Sequence, residues 1–314
     1  MSCRRYTPYP WILAVAMMAA GCSSGSKSPA IDPGDREMLA TASAGEQAFM
    51  RGAYDQAVEQ YRRSLARARL QDDAALIGDQ AYNLSICYLA LGDLAPAHDR
   101  LAEAEAALRR AGSPLADVLL VQARLAYRKA DGVEEAALRV LDDPQAHPTN
   151  LHRAQVAILR AEFACGQGNI PAVAELLAQA QTLSIGLPAT DVGAGLARVA
   201  GRLHLLRGEA MAAGESFDLE VRLQRQNHRY PDVSKALMQA GEAYAKAAKP
   251  NLAANRFYRA AASFTAQEKS AIALQALNYA RLAATQAGDV PLTHLIDDLN
   301  AEIKMLPATQ PAVR

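Results

Sequence analysis

AGEQAFMRGAYDQAVEQYRRSL, residues Ala44 to Leu65, is the stretch from which the fold is read. Gly45, Ala48 and Phe49 come before Gly52, and Ala57, Tyr61 and Ser64 follow it at steps of four and three. Such steps lay side chains along one face of a helix. A glycine ends a helix without the steric penalty of a Cβ, and a small residue such as Ala57 lets a second helix lie close to the first. The stretch therefore predicts a helical hairpin turning at Gly52.

The turn recurs. Equivalents of Gly52 stand at Gly92, Gly132, Gly168, Gly208, Ala248 and Gly288, at intervals of 40, 40, 36, 40, 40 and 40 residues. Five residues beyond each marker come Ala57, Ala97, Ala137, Val173, Ala213, Ala253 and Thr293, mostly small. Four further on, Tyr61, Leu101, Leu141, Leu177, Phe217 and Phe257 are large, and Asp297 alone departs. A fixed period of this length marks a stacked array, in which each unit buries its apolar face on its neighbours.

These residues resemble the pattern of the tetratricopeptide repeat (TPR) family: a small residue, an aromatic, a turn glycine, an alanine, a large apolar residue and another alanine. Leu84, Ser85, Tyr88, Gly92, Ala97, Leu101 and Ala104 follow it in the second unit, and Gly241, Tyr244, Ala253, Phe257 and Ala260 in the sixth. Leu125, Arg128 and Pro144 depart from it in the third unit, and Arg281, Thr293, Asp297 and Asn300 in the seventh, as degenerate or capping hairpins would. The resemblance implies an all-α, right-handed α-solenoid of about seven hairpins over residues 36–306, with a 40-residue period longer than the usual one.

Ahead of the array, residues 1–21 (MSCRRYTPYPWILAVAMMAAG) have Arg4 and Arg5, then an apolar run from Trp11 to Ala20, the layout of a secretory signal. The run is too short for a permanent membrane span, which takes about 20 residues. Ala19, Ala20, Gly21 and Cys22 resemble the lipobox of bacterial lipoproteins, which implies lipidation of Cys22, with cleavage near Ala20 or an uncleaved apolar run as alternatives. Ser23 after the cysteine implies, by the same resemblance, sorting to the outer membrane. The Ser, Gly and Pro rich residues 22–35 are read as a flexible tether with a reach of about 20 Å. Residues 307–314 form an unstructured tail by composition. Trp11 is the sole tryptophan, so a processed chain has none.

Hydrophobic residues make up 51% of the chain, with abundant Ala and Leu and no strictly alternating strand pattern. The 33 basic and 33 acidic residues give no net basic excess of the kind nucleic acid requires. Cys87 and Cys165, two units apart, are read as packing residues rather than a redox pair. Prolines 114, 231 and 291 mark helix starts, and two irregular loops, Asp142 to Asn150 and Ser184 to Gly193, are candidate joints.

Catalytic signatures are lacking. Neither GxSxG nor HExxH occurs, no glycine loop suits a phosphate, and His147 and His152 lack further ligands at metal spacing. Neighbouring acids such as Glu134 and Glu135 point about 100° apart on a helix and suit a solvated face. No enzyme, cofactor or metal is expected.

In the TPR family the first helix of each hairpin lines a concave groove. The resemblance places Glu46, Phe49, Asp79, Tyr82, Gln122, Lys129, Gln155, Glu162, Arg198, Arg202, Lys235, Glu242 and Asn278 there. Arg198 and Arg202, four apart, suit a bidentate grip on an oxyanion, or else pair with Glu209, Glu242 or another acid. Phe49 and Tyr82 suit an aromatic platform, or else the core. The resulting expectation is a lipid-anchored periplasmic scaffold, whose groove holds a segment of another envelope protein in an assembly or adaptor role. Two alternatives are a peptidoglycan-acting enzyme using Glu46, Asp79, Glu162 and Glu242, and a soluble cytoplasmic regulator lacking a working signal.

Overall fold

The computed structural model describes residues 33–227 and 229–305; the expected signal sequence, Cys22, most of the expected tether and the expected tail lie outside them. Among the described residues there are fourteen α-helices and no strand. They pair in chain order: α1 (Pro33–Met50) with α2 (Tyr54–Leu70), α3 (Ala74–Leu91) with α4 (Leu94–Ala111), and α5 (Ala116–Lys129) with α6 (Val133–Asp142). Next come α7 (Asn150–Gly166) with α8 (Ile170–Leu183), α9 (Ala189–Leu206) with α10 (Ala210–Gln226), α11 (Tyr230–Lys246) with α12 (Pro250–Thr265), and α13 (Ser270–Ala287) with α14 (Val290–Met305). The last three residues of the expected tether, Pro33 to Asp35, already belong to α1, with proline in its first turn.

All seven markers adopt the left-handed backbone conformation, from φ 54° at Ala248 to φ 91° at Gly92. At six of them the next N–H donates back to the carbonyl five residues earlier, as Asp93 does to Tyr88 at 2.9 Å and Lys249 to Tyr244 at 2.9 Å. This bond satisfies a carbonyl that the helix end leaves open. In the third hairpin the turn slips. Ala130 takes the left-handed place and Asp131 N–H reaches Ala126, while Gly132 stays left-handed two residues later. That slip accompanies the short α6 of 10 residues.

A second regularity explains the packing. A small residue on the first helix lies under a large one 16 residues later on the second. A Cβ built on Gly241 would stand 2.7 Å from the Phe257 ring, one on Gly201 2.7 Å from Phe217, and one on Gly45 3.1 Å from Tyr61. In the last hairpin the same two places hold Arg281 and Asp297, which form an ion pair at 2.6 Å with both side chains substantially exposed. An exposed pair of this kind adds little stability, about 0 to 1 kcal/mol. It does solvate a position that elsewhere is core, as the end of an array requires.

The described helices fall into two compact units, residues 33–147 and 148–305. The loop after α6 belongs to the first. Ala146 is fully buried, and the Gln145 side chain donates to the carbonyls of Leu108 at 3.0 Å and Ser113 at 2.9 Å. The carbonyls of Gln145 and Ala146 accept from Leu115 and Ala116 N–H, each at 3.1 Å. Because the loop takes up these donors, α5 starts at Ala116 and Pro114 lies outside it, unlike Pro231 and Pro291, which sit in the first turns of α11 and α14. Within the second unit, α9 starts at Ala189, so the irregular connection there is shorter than the sequence suggested. The core of that unit has two parts. Val173, Leu177, Val199 and Leu203 join α7, α8 and α9, and Phe217, Tyr244, Phe257, Leu277 and Ile296 run through α10 to α14. Cys87 is buried and Cys165 half-buried, both as free thiols.

Candidate functional site

In the first unit the expected groove residues are unevenly placed. Glu46, Phe49, Asp79 and Tyr82 are half-buried, and Phe49 sets its ring against Tyr54, centroids 5.2 Å apart. Lys129 is exposed at the end of α5. Gln122 is drawn into a polar network of the second helices: its amide donates to Glu105 at 2.9 Å, and Arg139 donates to its carbonyl at 3.3 Å. Arg109 adds bonds to Glu105 at 3.0 Å and to Asp143 at 2.8 Å. Although burial opposes the charge of Glu105, Gln122 and the arginines hold its carboxyl below the usual range. Gln122 is thereby a structural bridge between α4 and α6, which its position on a first helix did not reveal.

In the second unit Gln155 and Arg202 are half-buried, Glu162 is buried, and Lys235, Glu242 and Asn278 are exposed. Arg198 is engaged on two sides. Its Nε donates to Glu162 at 2.6 Å and its Nη1 to Glu220 at 2.9 Å. Burial works against the guanidinium charge, but the two carboxylates outweigh it and keep Arg198 firmly protonated. Glu209, weighed as a partner for this arginine, instead lies on His204. With its Nε and Nη1 bonded inside the protein, Arg198 is a poor grip for a ligand, and the Glu162 carboxylate is held by it.

Glu220 was not singled out from the sequence. It lies on α10 in step with Ala213, Phe217 and Gln224, so the pattern does place it on the buried stripe of that helix. Its side chain is 2% exposed, and neither its Oε2 nor the Oε1 of Gln224 has a hydrogen-bond partner among the described residues. Burial pushes the Glu220 carboxyl up to about 7, with Arg198 pulling the other way. A protonated Glu220 fits a site where one guanidinium serves two carboxyl groups.

A second polar knot joins α10, α11 and α12. Arg256 forks onto Asp218, with Nε to Oδ1 and Nη2 to Oδ2 both at 2.8 Å, and Tyr244 Oη donates to the same carboxylate at 2.8 Å. The guanidinium also lies over the Tyr244 ring, 5.6 Å from its centroid. Burial and the carboxylate push the phenol up to about 12. In the first unit an arginine stands where Asp218 stands relative to its tyrosine: Arg62, 26 residues before Tyr88, donates from Nη2 to Tyr88 Oη at 2.6 Å. Among the described residues no group of three His, Cys, Asp or Glu side chains is placed to hold a metal ion.

No protein-family model matches the chain, and no curated protein does. Solved structures do. A Signal Transduction ATPase with Numerous Domains (STAND) protein with a tetratricopeptide repeat sensor, from Pyrococcus horikoshii, superposes with a TM-score of 0.57 at 11% identity over 85% of this chain. The match spans only 42% of the length of that ATPase. A tetratricopeptide repeat protein from Parabacteroides merdae matches 86% of this chain and 99% of its own at 13% identity, with a TM-score of 0.46. At 11% identity the likeness to the first speaks to fold, which does not by itself fix function. Hairpins of about 40 residues, left-handed turns at every marker and small residues under large ones give this chain the tetratricopeptide-repeat fold.

Proposed function

We propose that the chain is a binding scaffold of the cell envelope, anchored by a lipid on Cys22 and holding a segment of another envelope protein along its first helices. One observation carries the binding part: α9, α11 and α13 bury one stripe in the core and leave a polar one, with Arg202, Lys235, Glu242 and Asn278, half-buried or exposed. Side chains of both signs and an amide on a rigid support suit recognition of an extended or helical peptide. The anchoring part rests on the sequence: the short apolar run and the lipobox-like Ala19 to Cys22. An anchor would raise the local concentration of a membrane partner, so that a modest groove affinity suffices.

In-cell crosslinking and mass spectrometry of the tagged full chain tests both parts. The proposal expects one envelope protein to be captured by the wild type and lost from a Lys235→Glu, Glu242→Lys variant. Both side chains are exposed, so the exchange leaves the core intact. Capture unaffected by the exchange removes the first-helix groove from the account. Fractionation of Cys22→Ser tests the anchor separately: release from the membrane fraction is expected, and retention overturns it.

A further inference from the structure

The chain is neutral as a whole, yet residues 221–267 contain eight lysines and arginines against two acids, Asp232 and Glu242. Four of these, Arg222 and Arg225 on α10 and Arg256 and Arg259 on α12, lie on second helices, away from the first-helix groove; of the three acids earlier on α10, Asp218 and Glu220 are already engaged by Arg256 and Arg198. Arg222 and Arg225 are exposed on α10, one turn apart, and Arg259 is half-buried on α12. None of the three side chains has a hydrogen bond or ion pair among the described residues. Arg259 lies within electrostatic reach of Arg225 and Arg256, and the carboxylate whose field it feels, Asp218, is already occupied by the Arg256 fork and Tyr244. Burial and these like charges push the Arg259 guanidinium down. Guanidinium groups gathered without enough carboxylates are an electrostatic cost in the free protein that a bound oxyanion would relieve.

We propose that this outer face of the fifth and sixth hairpins binds an acidic segment of a protein partner, whose carboxylates are gripped by Arg222, Arg225 and Arg259. The outward stripe of α10 also carries Met211 and Leu219, each 40% exposed, which offer apolar contacts between the charged ones. From Met211 to Arg225 the stripe is about 21 Å long at 1.5 Å per residue, room for six or so residues of extended chain. Of the acids along it, Asp218 is taken up by Arg256 and Tyr244, and Glu215 sits about two turns from Arg222. A flat sheet of lipid headgroups would meet Arg222 and Arg225. Reaching the recessed Arg259 takes a carboxylate on a flexible side chain, and this favours a peptide over a membrane.

The test uses the full chain and a fluorescein-labelled peptide of alternating Glu and Leu, with binding followed by anisotropy at low and physiological salt. The triple variant Arg222→Gln, Arg225→Gln, Arg259→Gln is compared with Arg51→Gln, Arg110→Gln, Arg153→Gln, which removes the same charge from exposed positions elsewhere. A rise in Kd of about tenfold or more in the first triple and not in the second is expected. The exposed pair Arg222→Gln, Arg225→Gln alone should give part of that loss, guarding against misfolding at Arg259, and thermal melts of all variants should coincide. Equal weakening in both triples, or no binding by the wild type, overturns the proposal. So does arginine-dependent binding to phosphatidylglycerol vesicles without binding to the peptide.

Discussion

Replacing Glu220 by Gln should change how the stability of the second unit depends on pH. The folded chain raises this carboxyl from an ordinary value of 4.5 to about 7, chiefly by burial. One pKa unit corresponds to about 1.4 kcal/mol, so the difference amounts to about 3 kcal/mol. The folded state holds the proton more tightly, so the contribution is complete below about pH 4.5. It falls away between about 4.5 and 7 as the unfolded chain ionises first, and is gone above that window. Wild-type stability should therefore fall by about 3 kcal/mol more than that of Glu220→Gln between pH 4.5 and pH 8. Glutamine is nearly isosteric and keeps an acceptor for Arg198, while Glu162 continues to neutralise the guanidinium. Urea unfolding by far-UV circular dichroism across that range measures the difference directly. Parallel pH profiles for the two proteins would refute the argument, and would mean that Glu220 ionises in the fold with both carboxylates sharing Arg198.

Ala248 is the one marker that is not glycine, yet it adopts φ 54°. Ala248→Gly should raise the thermal midpoint by relieving about 1 to 2 kcal/mol of left-handed strain, partly offset by the entropy of a more flexible unfolded chain. A lowered midpoint would contradict the strain. Gly241→Ala, with a Cβ 2.7 Å from the Phe257 ring, should destabilise by about 1 to 3 kcal/mol, whereas Gly45→Ala, at 3.1 Å from Tyr61, should cost less. The reverse order in denaturation midpoints would show that the turn, and not the small-under-large contact, sets the helix spacing.

The hairpins were legible in the sequence because their cause is local. A left-handed turn admits few residues, and a close helix pair demands a small side chain facing a large one, so both leave a mark at a fixed period. Even the departures noted at Arg281 and Asp297 carry structural meaning: they are the same pair of places, filled by an ion pair at the end of the array. The slip of the third turn to Ala130 was not legible: Gly132, the residue the period marks, is left-handed as well, so the marker gives no sign that the reach-back bond has moved to Asp131.

The site divides in the same way. By itself the sequence determined which residues lie on first helices, and that Arg198 and Arg202 share a face. Only the tertiary structure decided that Arg198 is held by Glu162 from one hairpin and by Glu220 from its own second helix, and that Gln122 serves a network on the second helices. The same holds for arginines 222, 225 and 259, whose side chains are unpaired among the described residues: each reads as an ordinary surface charge until α10 and α12 bring Arg225 within electrostatic reach of Arg259. Helix periodicity is written in neighbours a few residues apart, whereas a charge acquires its role from whatever carboxylate lies within about 4 Å of it. For Arg198 and Arg256 those partners stand 22 to 38 residues away along the chain.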